Sequence, residues 1–398
     1  MKVIITGGGT GGHIYPAIAI ADELMRRDSD TEILFVGSEI GMEKDLVPEC
    51  GYEIELISAD GFGRNLRNNV RAARRVIRGR RQAKDIVAEF HPDAVIGTGG
   101  YASAPVVSCA ERMGVPTYIH EQNAIPGKTN KFLGRNARKI FLGFSRAGKY
   151  FRNPEKHVVV GNPVRREFAL KERKEARKAL GIKDDCFMIL AFGGSQGAGR
   201  LNREMIHLIE SNRDDKNLCV YMGTGSYYYD AVLSELEDKG IKPGENLHIV
   251  EYIHDMGEVL NAADLMIGRS GALTVAEVTA CGIPAIFVPF PDATENHQYY
   301  NALSVQSAGG AVIIEEKDLD RETINRKVQE LRSDKSLLND MRKKCASCGT
   351  VDAAEQICNE IEEDTRALEE NGKRRKFRKS EGAGKLGRDA ATEGDAEG

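Results

Sequence analysis

The opening stretch of the chain constrains its fold more than any other. Met1 to Thr6 is a short β-branched run, and it breaks into Gly7-Gly8-Gly9-Thr10-Gly11-Gly12-His13. Ile14, Ala17, Ile18, Ala21, Leu24 and Met25 then recur at helical spacing. The order is strand, glycine-rich turn, helix. Such a turn lets backbone N–H groups approach an anion, and the helix N-terminus adds a favourable dipole. A second turn of this kind is Phe192-Gly193-Gly194-Ser195-Gln196-Gly197-Ala198-Gly199, and a third, Arg269-Ser270-Gly271-Ala272-Leu273-Thr274, follows another apolar run. Three such turns, divided between two halves of one chain, predict a phosphate-bearing ligand held between two domains.

Strand-like runs alternate with helical patterns throughout. In the first half they lie near Val3–Thr6, Glu32–Val36, Tyr52–Ile57, Ala94–Gly97, Thr117–His120, Lys139–Leu142 and His157–Val160. In the second they lie near Phe187–Phe192, Cys219–Met222, His248–Val250, Leu265–Ile267, Ala285–Val288 and Ala311–Ile314. Alternation of this kind predicts an α/β fold, with parallel sheets covered by helices on both faces. Ligands then sit beyond the carboxyl ends of the strands. That places Gly9–His13, Gly99–Ser103 and Glu121-Gln122-Asn123 on the ligand side. Gly161-Asn162-Pro163-Val164-Arg165 breaks regular structure and marks the hinge.

The expected organisation is a first Rossmann-like domain over 1–162 and a second over 163–340. Helices over 341–368 are expected to pack back on the first domain. The segment 369–398, rich in Gly, Lys, Arg and Glu, is expected to be a disordered tail.

At 398 residues the chain is long enough for two substantial cores, and its net charge of −4 gives no global attraction to nucleic acid. No apolar run reaches the roughly 18 residues of a spanning helix. The start turns into a glycine loop too early for a signal peptide, so a cytoplasmic protein is expected. Of the eight cysteines, only Cys345 and Cys348 form a Cys-x-x-Cys. They sit in a charged helical stretch without a second pair or a nearby His, which fits reduced thiols better than zinc.

No acidic residue occurs between Asp60 and Asp85, whereas Arg64, Arg67, Arg71, Arg74, Arg75, Arg78, Arg80, Arg81 and Lys84 all fall there. A solvated helix face is one reading. The one-sided charge and the interleaved Phe62, Leu66, Val70 and Ile77 support a second, contact with an anionic membrane surface. Nucleic acid is not expected, because no recognised module or aromatic platform accompanies the charge.

Each loop admits more than one chemistry. Gly7, Gly9 and Gly12 match a dinucleotide fingerprint, but the acidic residue required at the end of the second strand is late, at Glu39. Gly193-Gly194-Ser195-Gln196-Gly197 matches a nucleophile elbow, yet no downstream acid and His are singled out. Ser195 then reads as a hydroxyl donor to a phosphate oxygen. Glu277 is either a helix-stabilising acid near a first turn or a carboxylate for ribose hydroxyls. His13, at a helix start, is held neutral by the dipole and is the candidate general base. His120 and Glu121 are placed on the cleft side. Asp318-x-Asp320 resembles a metal-binding pair but reads as the cap of a following helix. No obligatory metal and no cofactor are expected.

Taken in order and spacing, the motifs become specific. They are Gly9–His13, Gly97-Thr98-Gly99-Gly100-Tyr101, His120-Glu121-Gln122-Asn123, Gly161–Arg165, Gly193–Ala198, Ser270–Glu277 and Asn296-His297-Gln298-Tyr299-Tyr300-Asn301-Ala302. Over about residues 1–362 the chain resembles the MurG family, GT-B N-acetylglucosaminyltransferases of bacterial peptidoglycan synthesis. The resemblance implies an inverting transfer of GlcNAc from UDP-GlcNAc to the C4 hydroxyl of MurNAc in lipid I, giving lipid II and UDP. It implies a peripheral enzyme at the cytoplasmic face of the cell membrane, docked through the Arg64–Lys84 region, with other cell-wall synthesis proteins as further partners.

By the same resemblance, Thr10, Gly11 and Gly12 line the donor site, and Asn123 contacts GlcNAc. Arg165 and Ser195 meet the diphosphate. Ile253 and the Ala272–Leu273 backbone hold uracil. Thr274 approaches a phosphate, Glu277 the ribose, and Gln298 the sugar hydroxyls. His297 stands where the family often has Gln. A UDP-GlcNAc 2-epimerase and a non-enzymatic sugar-nucleotide sensor are the alternative functions.

Overall fold

A computed structural model describes residues 1–59, 66–165, 172–368 and 370, with side chains of the helix Leu66–Phe90 described from Ile77 onward. Arg64, the side chains of Arg67, Arg71, Arg74 and Arg75, and the expected disordered tail at 369 and 371–398 lie outside the described residues.

The first sheet contains β1 (Lys2–Gly7), β2 (Glu32–Ser38), β3 (Glu53–Ile57), β4 (Ala94–Gly99), β5 (Thr117–Glu121), β6 (Lys139–Leu142) and β7 (His157–Val159). They lie in the order β3-β2-β1-β4-β5-β6-β7, and every pairing is parallel. The second contains β8 (Phe187–Phe192), β9 (Leu218–Gly223), β10 (Leu247–Val250), β11 (Leu265–Gly268), β12 (Ala285–Phe287) and β13 (Ala311–Ile313). Their order is β10-β9-β8-β11-β12-β13, again parallel. The chain is thus an α/β protein of two Rossmann-like sheets, as the alternation of runs predicts.

The strands are continuous apolar runs because both faces are covered. In β1, Ile4 joins a core with Val36, Val95 and Ile119, while Val3 and Ile5 face the opposite core of Ile14, Ile18 and Ile96. In β8, Ile189 and Ala191 enter one core, and Met188, Leu190 and Phe192 enter the other.

In each sheet the strand order reverses beside the first strand, between β1 and β4 and between β8 and β11. Loops diverge there and leave a crevice beyond the carboxyl ends. The loops after β1, β4, β8 and β11 are Gly8–Thr10, Gly100–Ala102, Gly193–Ala198 and Arg269–Gly271, so all three glycine turns open into these crevices.

The helix over 353–368 lies on the first sheet. Its Ile357, Cys358 and Ile361 are fully buried in the core of β1, β4 and β5. Burying an aliphatic side chain of this size stabilises by roughly 1.5–3 kcal/mol. Polar bonds fix the helix's register: Arg27 reaches Asn359 at 2.8 Å and the Glu355 carbonyl at 2.8 Å, and Tyr118 donates to Asp364 at 2.7 Å. The helix Lys335–Ala346 belongs to the second domain instead, through Leu338, Met341 and Cys345. Cys345 is buried with its thiol donating to the Ile283 carbonyl at 3.1 Å, so the Cys-x-x-Cys is a packing feature. Asp320 accepts from the Thr323 N–H at 2.8 Å and caps Arg321–Ser333, which explains the acid pair.

Candidate active site

The first glycine turn is built around a buried acid that sequence reading missed. Glu43 opens the short helix Glu43–Glu49, and its side chain is nearly fully buried. One carboxylate oxygen accepts the Gly9 N–H and the other the Ser38 N–H, each at 2.8 Å. The Gly8 N–H donates to the Gly99 carbonyl at 3.2 Å. Two amides of the first turn are therefore committed to the protein, and a carboxylate stands behind them. The Gly8 and Gly9 N–H groups are thus not available to an anionic ligand. Glu39, the late acid of the dinucleotide match, accepts from the Ser58 hydroxyl at 3.1 Å.

What the turn holds instead is His13, the third residue of the helix Gly11–Arg27. That helix begins at Thr10 without a side-chain cap. The imidazole packs over Gly99, where a Cβ would come within 2.8 Å of the ring, and Gly99 also has a left-handed φ of +109°. His13 Nδ1 lies 3.2 Å from Gln122 Oε1. Burial pushes its pKa below the usual imidazole value, while Gln122, the Thr98 backbone and the Glu43 charge oppose that shift. A ring that stays neutral at physiological pH is competent to accept a proton.

Glu121 lies in the wall of the cavity between the domains and His120 behind it; both are essentially unexposed. His120 Nε2 donates to the Gly161 carbonyl (3.1 Å), and burial lowers its pKa to about 4. Glu121 organises the loop after β5. It accepts from the Asn123 N–H at 2.9 Å, the Gly127 N–H at 3.1 Å and Asn130 Nδ2 at 3.0 Å. Burial raises its pKa despite those donors.

The second domain contributes three loop ends. Ser195 is exposed, in a turn closed by the Gly197 N–H on the Gly194 carbonyl at 2.9 Å. Gly197 and Gly225 touch backbone to backbone, so the 223–226 turn supports the Ser195 loop. The helix Ala272–Ala280 starts at Gly271 with no side-chain cap, leaving its first N–H groups oriented toward the cleft. Its first turn holds no acid. Glu277 is the sixth residue, past the reach of a first-turn dipole, so the helix-stabilising reading loses its basis. Ile253 is buried against Gly223, and the Ala272 side chain is buried as well. Ser270 is also committed: its hydroxyl donates to the Gln298 carbonyl at 2.8 Å. The Gln298 side-chain oxygen accepts the Phe290 N–H at 3.0 Å, which aims the Nε2 end as the available donor.

One residue joins the two sides. Asn301, fully buried in the helix His297–Ala308, accepts the Ala124 N–H at 2.8 Å. Its amide donates to Asn123 Oδ1 and to the Ser270 carbonyl, both at 3.2 Å. Lys131 pairs with Glu295 at 2.9 Å across the same gap, and Arg146 stacks on Tyr300 at 4.1 Å. Arg165, in the connection between domains, lies 5.6 Å from the Tyr15 ring centroid.

A cavity of about 520 Å³ opens between the halves. Thr10, His13, Tyr101 and Asn123 line it from the first domain, and Thr294, Glu295 and His297 from the second. Of the residues singled out in the sequence, Thr10, His13 and Asn123 meet here. Ser195, Ile253, Ala272, Leu273, Thr274, Glu277 and Gln298 gather at the carboxyl end of the second sheet. Glu43 escaped notice, and Gln122 and Asn301, though they stand in the motifs, carried no assigned role, since each acts through contacts far along the chain.

Comparison with known proteins agrees with this arrangement. Residues 3–142 match the glycosyltransferase family 28 N-terminal domain and residues 188–357 its C-terminal domain. A relative from Thermoanaerobacter sp. (strain X514) is 43% identical over 358 residues, covering 90% of this chain and 98% of its own. It is named UDP-N-acetylglucosamine--N-acetylmuramyl-(pentapeptide) pyrophosphoryl-undecaprenol N-acetylglucosamine transferase. The crystal structure of MurG from Acinetobacter baumannii superposes with a TM-score of 0.72 at 28% identity, covering 91% of this chain and 99% of that one. A putative UDP-N-acetylglucosamine 2-epimerase from Listeria monocytogenes shares the fold, with a TM-score of 0.69 at 16% identity and coverage of 92% and 97%. By its two family 28 domains and by near full-length identity to relatives of that name, this chain belongs to the MurG family of N-acetylglucosaminyltransferases.

Proposed function

We propose that His13 is the base in the transfer of GlcNAc from UDP-GlcNAc to the C4 hydroxyl of MurNAc in lipid I, the reaction by which this enzyme makes lipid II for peptidoglycan. The observation that carries the assignment is the position of His13: a half-buried imidazole, its pKa pushed down by desolvation, on a cavity lined from both domains. In the reaction, the acceptor oxygen attacks C1 of the sugar from the face opposite the diphosphate. The new C1–O4 bond forms as the bond to the phosphate oxygen breaks, inverting the α-linked donor to a β product. The O4 proton passes to His13, and UDP leaves with the bonding electrons. General-base assistance of this kind contributes roughly 10²–10⁴-fold.

Charge builds on the leaving diphosphate. The uncapped N-terminus at Gly271–Thr274, the exposed Ser195 and Arg165 supply donors and positive charge on that side. Asn123 and Gln298 Nε2 orient the sugar, Glu277 takes the ribose hydroxyls, and the backbones of Ile253, Ala272 and Leu273 hold uracil. Thr10, Gly11 and Gly12 close the donor site from the other domain. In this division, residues 1–162 face the acceptor and 163–340 hold the nucleotide.

The acceptor is anchored in lipid, and no helix among the described residues is long and apolar enough to cross a membrane. The helix Leu66–Phe90 supplies a docking face. Gly79, Ala83, Ile86 and Val87 are buried, while Ile77 is 70% exposed and Arg78, Arg80, Arg81 and Lys84 point outward beside it. Each basic residue near an anionic surface is worth about 1 kcal/mol.

The test uses labelled UDP-GlcNAc with and without a lipid I analogue in detergent. Label entering the lipid fraction only with acceptor, and lost in His13→Ala while UDP-GlcNAc binding persists, is the expected result. Full turnover by His13→Ala removes it as base. Sugar nucleotide converted without acceptor favours the epimerase reading. Docking is read by sedimentation with anionic vesicles: reversing Arg78, Arg81 and Lys84 to Glu should release the enzyme, and unchanged binding excludes this face.

A further inference from the structure

We propose that Gln122 is a positioning residue: it holds His13 in the tautomer protonated on Nδ1 and so presents Nε2 as the atom that takes the acceptor proton. This rests on the reading of His13 as the base. Gln122 is almost fully buried, and both ends of its amide are engaged. Its nitrogen lies 2.8 Å from the Thr98 carbonyl and 3.1 Å from His120 Nδ1. A carbonyl only accepts, so the NH₂ end must face Thr98; the flipped amide would set two oxygens 2.8 Å apart. The second amide hydrogen faces His120 Nδ1, with the His120 carbonyl a farther acceptor at 3.4 Å. The Gly161 carbonyl, 3.1 Å from His120 Nε2, can only accept, so the His120 proton sits on Nε2 and Nδ1 of the neutral ring carries a lone pair.

With the amide direction set, Oε1 is the end that faces His13. It lies 3.2 Å from Nδ1 and can only accept, so Nδ1 carries the proton. The result is one directed chain of hydrogen bonds, from His13 through Gln122 and His120 to Gly161 in the connection between domains. Its direction is imposed by two backbone carbonyls, Thr98 and Gly161, neither of which can reverse. Among the described residues no carboxylate is bonded to His13 Nδ1, so this neutral amide does the orienting that an acid does in many histidine-based sites. The charged or titratable groups that face His13 are Glu43 beneath the glycine turn, His297 from the second domain and His120 through Gln122.

The test is a long-range ¹H–¹⁵N spectrum of histidine side chains in the full-length enzyme, at a pH where His13 is neutral. The His13 signals are identified by their loss in His13→Asn. We expect the pattern of an Nδ1–H, Nε2-lone-pair ring in the wild type. In Gln122→Met that pattern should give way to the other tautomer or to exchange between the two. kcat should fall by about 10- to 10²-fold, bounded by what a general base contributes, with KM for UDP-GlcNAc within about twofold. In a His13→Ala background the same change should cost nothing further. Gln122→Glu keeps an acceptor at Nδ1 and, protonated on the oxygen that faces the Thr98 carbonyl, donates there as the amide does, so it should retain the tautomer. An Nε2–H ring in the wild type overturns the proposal, as does an unchanged tautomer in Gln122→Met or a lost one in Gln122→Glu. If Gln122→Met does not fold, the wild-type spectrum and Gln122→Glu still decide. Failure of the base assignment would show separately, as full turnover by His13→Ala with the tautomer unchanged.

Discussion

Asn301 offers a sharp test of how the two domains are joined at the site. It accepts from the Ala124 N–H and donates to Asn123 Oδ1 and the Ser270 carbonyl, entirely out of solvent. Asn301→Ala leaves the Ala124 N–H buried without a partner, at about 1–3 kcal/mol, and removes two further bonds of about 1 kcal/mol each, one of them to a side chain that water can reach. The net expectation is a loss of about 3 kcal/mol, or a fall in Tm of roughly 6–12 °C for a domain of this size. Asn301→Asp has the same shape yet should be worse at pH 8. Its carboxylate keeps the Ala124 bond but faces two oxygens that can no longer be donated to.

That geometry also sets the pH dependence. An acid facing acceptors has its folded-state pKa raised above the unfolded value near 3.9. The stabilising protonated form is then fully present below the unfolded value and is lost as pH rises through the folded one. Thermal unfolding of wild type, Asn301→Ala and Asn301→Asp at pH 5 and pH 8 checks this. The Asp variant should be the least stable at pH 8 and should draw level with or pass Ala at pH 5. An Asp variant as stable as wild type at pH 8 refutes the assignment of the Asn301 amide as donor to both domains.

Glu43→Gln places an NH₂ group against one of the two amides it now serves, costing about 1.5–3 kcal/mol in chemical unfolding. It also removes a negative charge that raises the His13 pKa, so the acidic limb of kcat should move to lower pH. Gly100→Ala forces a side chain into the Gly8 carbonyl at a φ of +88°; the loop must shift, and transfer should fall at least tenfold while UDP binding to the second domain is kept. His120 is buried neutral with a pKa near 4 against 6.5 in the unfolded chain, so the unfolded state binds more protons between those values. Stability should therefore decline as pH falls from about 6.5 to about 4, by up to roughly 3 kcal/mol, and His120→Asn should flatten that slope.

Local chemistry made much of this protein legible. Strands such as Val3–Thr6 and Phe187–Phe192 are β-branched or apolar runs bounded by glycine, and the helical period that follows each can be read within one window. The three glycine turns were visible for the same reason. A bend such as that at Gly99, whose φ is +109°, is open to glycine and to few other residues. The apolar face that anchors 353–368 is equally a matter of spacing, with Ile357 and Ile361 four residues apart.

The tertiary structure decided what those turns do. Glu43 reaches Gly9 across 34 residues, Gln122 reaches His13 across 109, and Asn301 reaches Ala124 across 177. No periodicity or spacing encodes such pairs, because each depends on strand order and on which loops converge where that order reverses. The first glycine turn looks from its residues like an anion cradle. Only the folded chain shows two of its amides, Gly8 and Gly9, already taken by a neighbouring loop and by an acid, because that acid and that loop reach the turn through the order of the strands.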